Sequence, residues 1–147
     1  DNLNSSDVWS GFRVGQRARP CLVKFGRTDD IIEVQASHDG YCRIRKSVMH
    51  NRRWEFGPGW MQIDDYVSGP IESAVAHFHL HPGIYVTQID DRSGALQLPD
   101  GRKCRWTSNV DAIVTSSSWH PEFGQSIDAQ QIVLRLAEGQ STFLCEW

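Results

Sequence analysis

The sequence predicts an all-β protein: an antiparallel two-sheet β-sandwich of the super-sandwich type, with about a dozen strands and little helix. Turn signals recur every ~8–12 residues, a spacing typical of sandwiches and barrels. No stretch of about a dozen residues combines a 3.6-residue hydrophobic period with capping residues. No repeat or linker divides the chain, so residues 1–147 are predicted to form a single domain.

In the first half of the chain, short strand-like runs alternate with turns. Apolar and polar residues alternate from Ile32 to Ala36, which predicts a half-buried strand. Asp39-Gly40 favours a tight hairpin, so the chain is expected to return as a strand over residues 42–49. Gly57-Pro58-Gly59 then breaks the pattern before another strand at residues 60–67.

The second half continues in the same way, with Gly and Pro marking the turns. Residues 128–137 are the best candidate for a helix, but the alternation of Ile132, Leu134 and Leu136 favours a strand. The remaining strands are predicted at residues 74–80, 84–89, 95–98, 103–107 and 141–147.

Composition narrows the range of partners. The net charge of −3 argues against nucleic acid, whose binders carry a basic excess. No apolar run approaches the roughly 20 residues of a spanning helix, so no membrane segment is predicted. The chain begins without Met and without a signal-peptide pattern. We therefore expect it to be a trimmed piece of a larger multidomain protein.

The cysteines do not form a recognisable metal motif. Cys21, Cys42, Cys104 and Cys145 lie far apart with no C-x-x-C pair, which excludes zinc-ribbon spacing. Three disulfide pairings are possible, and nothing in the sequence selects one. Each cysteine also sits among apolar or strand-like neighbours, where a buried free thiol is the ordinary state.

Positive charge is concentrated in one segment, which we call the basic strip. It comprises Arg43, Arg45, Lys46, Arg52 and Arg53, with no acidic residue between them. Such a strip on a mildly acidic protein suits an anionic target, such as a uronic-acid sugar. The alternative is a solvated strand face, which is what most charge runs form.

Three histidines, His77, His79 and His81, alternate with apolar residues. On a strand their side chains share one face, where they could ligate zinc in a small metal-dependent β-barrel enzyme. The alternative is that Phe78 and Leu80 fill the core while the histidines face solvent. No spaced motif supplies further ligands, so no metal site is predicted and the zinc enzyme is kept as a minor alternative.

A second group contains His38, Tyr41, His50, Arg52 and Arg53. A histidine, a tyrosine and arginines are the parts that β-elimination on a uronate needs: a base, an acid and a cation that neutralises the carboxylate. A hairpin could bring them together. The alternative is an ordinary turn with a tyrosine packed beside it.

Aromatic residues suggest a carbohydrate-binding module as another function class. Trp119 and Phe123 flank a turn-like segment and could stack on sugar rings, as could Trp60 with Arg52 and Arg53 beside it. They could equally cover the edge of a core. No G-x-S-x-G, phosphate-loop or H-E-x-x-H motif occurs, so nucleophilic hydrolysis and phosphoryl transfer are unsupported.

Several phrases, in their order and spacing, resemble the C-terminal region of the heparinase II/III-like family over the whole of residues 1–147. Trp119-His120-Pro121-Glu122-Phe123-Gly124 is similar to the bacterial branch of that family. The other phrases are residues 4–9 with 12–15, 36–41, 50–53, 63–69 and 77–83.

The resemblance implies an N-terminal α/α toroid followed by a large two-sheet β domain, in secreted or periplasmic lyases that cleave acidic polysaccharides by β-elimination. It implies that the reactive residues and any metal ligands lie in the toroid or at the start of the β domain. No residue of this chain matches those motifs, so no catalytic residue and no cofactor is expected here. The expected role is to support the toroid and contact the acidic polysaccharide, through the candidate residues His38, Tyr41, His50, Arg52, Arg53 and Trp119.

Overall fold

A computed structural model describes residues 6–9 and 13–147. The first resemblance phrase, at residues 4–9 and 12–15, lies partly outside the described residues. Regular structure in the described part consists of thirteen strands and a 3₁₀ helix at Gly40–Arg43. The strands are β1 (Asp7–Trp9), β2 (Arg13–Gln16), β3 (Pro20–Thr28), β4 (Ile31–His38), β5 (Met49–Gly57), β6 (Trp60–Ser68), β7 (Val75–His79), β8 (Tyr85–Asp90), β9 (Ser93–Gln97), β10 (Lys103–Ser108), β11 (Ala112–Trp119), β12 (Ile127–Arg135) and β13 (Gln140–Glu146).

Two antiparallel sheets form the body of the molecule. The larger has eight strands in the order β3-β4-β5-β6-β13-β10-β9-β8, and the smaller has three in the order β11-β12-β7. Strands β1 and β2 form a separate hairpin. The all-β sandwich with little helix is confirmed. The barrel of the alternative zinc enzyme is wrong, because within the described residues the larger sheet stays open at β3 and β8.

The core lies between the two sheets. Alternation along β12 turns Ile132 and Leu134 inward, and both are fully buried. Trp106 of β10 is also 0% exposed, and Phe143 of β13 stacks on Phe78 of β7 with 4.6 Å between ring centroids. These aromatic contacts join the centre of the larger sheet to the edge strand of the smaller one. Among the described residues, no helix has the length and apolar character needed to cross a membrane.

Gly94 makes room for the largest buried side chain. It lies directly opposite Trp106 in the pairing of β9 with β10. A Cβ atom on Gly94 would lie 2.1 Å from the backbone oxygen of Thr87 and 2.5 Å from Nε1 of Trp106. No side chain fits there, so the absence of a Cβ allows the indole to lie flat against the sheet.

All four cysteines are free thiols in the structure. Cys104 and Cys145 are buried on the neighbouring strands β10 and β13, and Cys21 is exposed. Burial, with Cys104 nearby, raises the pKa of the Cys145 thiol to about 11. That thiol is therefore protonated and behaves as a small apolar core group at neutral pH.

The inner face of the larger sheet extends beyond the area that the smaller sheet covers. Phe25, Val34, Trp54, Ile63 and Phe143 are successive partners across β3, β4, β5, β6 and β13, so they share this face. The central pair, Ile63 and Phe143, is 7% and 4% exposed, whereas Phe25 on the edge strand is 72% exposed. We call the inner face of β3, β4 and β5 the open half of the sandwich.

Most of the strands predicted from the sequence are confirmed to within two residues at each end. The tight hairpin at Asp39-Gly40 and the strand at residues 42–49 are wrong. The backbone amide of Cys42 donates to the carbonyl oxygen of Asp39, and that of Ile44 to Tyr41, which closes 3₁₀ turns instead. The sequence prediction also lacks strands β1, β2, β3, β5 and β11. In β11 the Ser116-Ser117-Ser118 run has no apolar alternation of the kind that marks a strand.

Candidate functional site

A cavity of about 600 Å³ lies at the β7 side of the sandwich, where β5 and β6 meet the 3₁₀ helix and the segment that precedes β7. Its polar wall contains Tyr41, His50, Arg52 and Asp65, and His77 of β7 also lines it. Strand register explains the grouping. His50 and Arg52 lie two residues apart on β5, and Arg52 is directly opposite Asp65 on β6.

Behind this wall runs a line of hydrogen bonds that we call the histidine chain: His38, His50 and Asp65. His38 Nε2 lies 3.0 Å from His50 Nδ1, and His50 Nε2 lies 2.6 Å from Asp65 Oδ1. His38 and His50 face each other across β4 and β5. The Tyr41 ring packs 5.5 Å from the His38 ring and 6.5 Å from the His50 ring, between centroids.

The direction of each proton in the histidine chain follows from one backbone donor. The amide of Gly40 donates to His38 Nδ1 at 3.2 Å, so that nitrogen is an acceptor. Neutral His38 therefore carries its proton on Nε2 and donates to His50 Nδ1. His50 in turn carries its proton on Nε2 and donates to the carboxylate of Asp65. Every ring nitrogen of the two histidines is thus engaged.

Asp65 ends the histidine chain and is buried, with 4% of the residue exposed. The Arg52 guanidinium donates hydrogen bonds to both carboxylate oxygens, from Nε to Oδ1 at 2.7 Å and from NH2 to Oδ2 at 2.8 Å. Burial raises the pKa of Asp65, but the hydrogen bonds from His50 and Arg52 outweigh it and hold the pKa below its ordinary value. The carboxylate is therefore ionised at neutral pH and fully paired.

The surroundings of His38 favour its neutral form. Burial lowers its pKa, repulsion from His50 and Arg52 adds to that effect, and Asp39 opposes it. A proton on Nδ1 would also point at the amide hydrogen of Gly40. The arrangement thus fastens the 3₁₀ helix to β5 and β6 through the two imidazoles, and it leaves neither of them a ring nitrogen without a partner.

We expect the stability of the protein to fall in mild acid because of His38. The fold keeps the pKa of His38 below its ordinary value of about 6.5. Neutral His38 therefore contributes fully to the free energy of unfolding above about pH 6.5, and this contribution is lost as the pH falls through the lower pKa of the folded state. Urea denaturation at about pH 7.5 and pH 5.5 measures the loss. His38→Asn keeps an acceptor for Gly40 but cannot titrate, so it should lose less stability over this range.

The matched control is His77→Asn, which removes an exposed histidine outside the histidine chain. It should show the same pH dependence as the wild-type protein. A wild-type protein that is as stable at the lower pH as at the higher one would contradict the role given to His38.

The structure brings together four of the six candidate residues, namely His38, Tyr41, His50 and Arg52. Arg53 points to the opposite face of the larger sheet, where it pairs with Glu33 and Glu55. Trp119 lies at the end of β11 in the smaller sheet, against His81. Whether any of these residues binds substrate stays a prediction.

The basic strip does not present a continuous positive surface. Arg45 pairs with Glu72, Arg52 with Asp65, and Arg53 with two glutamates. Each of these arginines is thus balanced by an acid from another strand or loop. The segment matches the solvated-face alternative more closely than an open anion site.

His77, His79 and His81 follow one another along the outer face of the smaller sheet. His77 Nδ1 pairs with Gln131, His79 Nδ1 pairs with Ser117, and the His81 ring packs against Trp119. Within the described part of the chain, no three His, Cys, Asp or Glu side chains are placed to hold a metal ion. The minor zinc alternative therefore gains no support from this geometry.

Asp65 is the site residue that sequence reasoning missed. The sequence does contain a sign of its role. Asp65 occupies an inward position between Ile63 and Val67, in a strand whose other inward side chains are apolar. A carboxylate at such a position requires a buried partner. Its partners lie 13 and 15 residues away in sequence, which no local pattern reveals.

Comparison with known proteins gives a family and a fold. A family model described as "Heparinase II/III-like, C-terminal" matches residues 1–147. The structure is similar to that of the heparan sulfate lyase HepC from Pedobacter heparinus, with 12% identity and a TM-score of 0.68 over 89% of this chain and 22% of that one. It is also similar to the "Heparinase III-BT4657 gene product", with 14% identity and a TM-score of 0.68 over 89% of this chain and 21% of that one.

At this level of identity the solved structures establish the fold alone. The chain spans about a fifth of their length. No protein with a curated description matches the sequence at a significant level. The resemblance predicted from the short phrases is confirmed by the family match, which covers the same 147 residues.

Proposed function

Since the chain belongs to the heparinase II/III-like, C-terminal family, we propose that it is the C-terminal β-sandwich domain of a bacterial polysaccharide lyase. The parent enzyme cleaves uronate-containing acidic polysaccharides by β-elimination, in the periplasm or outside the cell. This domain is not its catalytic centre. It supports the N-terminal toroid, contacts the glycan and needs no cofactor of its own.

The non-catalytic assignment rests on one observation: every ring nitrogen in the histidine chain already has a hydrogen-bond partner. β-Elimination needs a cation for the uronate carboxylate, a base for the proton and an acid for the leaving oxygen. Arg52 is already bound through two hydrogen bonds to Asp65, and both imidazoles use both of their nitrogens. The residues that could supply this chemistry are therefore occupied in holding the fold together.

The open half supports the proposed contact with the rest of the parent chain. Val23 and Phe25 expose 69% and 72% of their surface on a face that is continuous with the core. Beside this face, β7 has a strand partner on one side only among the described residues. An occupant that pairs with β7 would cover β3 to β5 at the same time. The preceding part of the parent chain, with its toroid, is the occupant we propose.

The non-catalytic assignment predicts that the purified chain releases no unsaturated uronate from heparan sulfate or alginate. Ultraviolet absorbance of the unsaturated product is the measurement, with the Pedobacter heparinus heparan sulfate lyase as the positive control for heparan sulfate. Circular dichroism confirms that the chain is folded during the assay. Turnover that disappears in His38→Asn would contradict the proposal, because the base would then lie in this chain.

A carbohydrate-binding module remains the second candidate function. It is favoured by one observation, the contact between Trp119 and His81 on an exposed sheet face. This candidate differs from the first in the role of the domain, not in its ligand. Binding without cleavage is compatible with both.

A further inference from the structure

We propose that the outer face of the three-stranded sheet is a glycan-binding surface, which we call the outer platform. Its residues are His77, His79, His81, Trp119 and Gln131. The class of ligand, an acidic polysaccharide, rests on the proposed function. The place of binding rests on the side chains described below; it lies on the outer face of the smaller sheet, and of its residues His77 also lines the cavity beside the histidine chain.

Strand register assembles the outer platform. His77 and His79 of β7 are opposite Val133 and Gln131 of β12, and Gln131 is opposite Thr115 of β11. The alternate residues of the same strands form the buried inner face, with Ala76 at 6% exposure. The histidines and their neighbours are therefore on the solvent side, in a row that follows β7 for about 13 Å at the usual strand rise.

The side chains of the outer platform are already ordered. His77 Nδ1 lies 3.2 Å from Oε1 of Gln131, and His79 Nδ1 lies 2.9 Å from Oγ of Ser117. The rings of His77 and His79 are stacked, with centroids 6.0 Å apart and planes 17° apart. Pre-ordered side chains lose less conformational entropy when a ligand binds.

The unused atoms of these histidines distinguish them from the histidine chain. The hydrogen bonds of His77 and His79 use Nδ1, and within the described residues Nε2 of each has no partner. A sugar hydroxyl can both donate and accept, so it can pair with an imidazole nitrogen in either protonation state. His38 and His50, in contrast, have both nitrogens engaged.

An aromatic surface stands at one end of the row. Trp119 lies against His81 with ring centroids 4.7 Å apart and an interplanar angle of 56°. The Trp119 residue is 38% exposed, so part of the indole is accessible. Apolar ring faces combined with a few fixed polar groups are the usual make-up of a small-molecule site, and they match the apolar faces and hydroxyl edges of a sugar ring.

The charge of the outer platform suits an anionic chain. The outward positions of β7, β11 and β12 contain no Asp or Glu, and they include Arg135 at the end of β12. The opposite face of the larger sheet differs, because there Arg53 lies among Glu33, Glu55 and Asp64. An acidic polysaccharide would therefore meet fewer negative charges on the outer platform.

Calorimetric titration with size-defined heparan sulfate oligosaccharides tests the outer platform, with alginate oligosaccharides as a second probe. We expect Trp119→Ala to weaken binding by about tenfold or more, as removal of an aromatic anchor usually does. His79→Ala should weaken it by a smaller factor. Trp147→Ala is the matched control, because Trp147 is 60% exposed and lies outside the smaller sheet; its affinity should equal that of the wild-type chain.

Each outcome of this titration decides the proposal. Loss of affinity in Trp119→Ala but not in Trp147→Ala supports it, provided that the thermal unfolding of both variants matches the wild-type chain. Equal affinities in the wild-type chain and Trp119→Ala would overturn it while leaving glycan contact in place elsewhere. If neither probe binds the wild-type chain, both the outer-platform proposal and the proposed glycan contact are overturned. The lyase assay tests the non-catalytic assignment independently of this result.

Discussion

Asp65→Asn is expected to lower the free energy of unfolding by about 3 kcal/mol, a loss typical of a broken buried ion pair. The carboxylate, whose side chain is 2% exposed, holds Arg52 with two hydrogen bonds and His50 with a third. An amide keeps the shape but removes the charge, so it leaves the guanidinium of Arg52 without its counterion. We place the loss at the lower end of the usual ~3–5 kcal/mol because water reaches part of Arg52, whose side chain is 25% exposed.

Urea denaturation at neutral pH measures this loss. Asp64→Asn is the matched control, because Asp64 is the neighbouring residue on the opposite face, with 29% of its side chain exposed. Its loss should stay within about 1 kcal/mol, as expected for partly exposed pairs. Similar losses in the two variants would show that the histidine chain is not a structural anchor.

Trp106→Ala is expected to cost about 3–5 kcal/mol, the usual range for deleting a fully buried large aromatic side chain. The indole is 0% exposed, lies against Gly94 and stacks near Phe143, with 6.1 Å between ring centroids. Gly94 has no side chain that could fill the space. The neighbouring strands can therefore collapse only partly into the cavity.

Thermal unfolding monitored by circular dichroism measures the effect of Trp106→Ala, and Trp147→Ala provides the comparison. Trp147 is 60% exposed, so its removal should change stability by less than about 1 kcal/mol. A Trp106→Ala protein that unfolds at the temperature of the Trp147→Ala protein would contradict the position given to Trp106 at the centre of the core.

The fold was predictable from the sequence where local chemistry decides it. Pro58-Gly59 illustrates this, because a proline followed by a glycine with φ of 78° closes the hairpin between β5 and β6 as the break predicted. The error at Asp39-Gly40 has a tertiary cause. Tyr41 packs against the core and His38 accepts the amide of Gly40, and these contacts favour a 3₁₀ helix over a two-residue turn.

The candidate site was only partly predictable, for a related reason. The spacing of His50 and Arg52 places them on one face of a strand whatever the rest of the chain does. Their partner Asp65 depends on the register between β5 and β6, and the separation of Trp119 from this group depends on which sheet β11 joins. Sequence periodicity determines the face of a strand, but it does not determine its neighbours.

The edge of β7 that faces away from β12 has a practical consequence for the expression of this chain by itself. Among the described residues one edge of β7 pairs with no strand, so its amide and carbonyl groups are a template for a strand of another copy. We expect soluble preparations to require a low protein concentration, or a longer polypeptide whose own residues cover that edge.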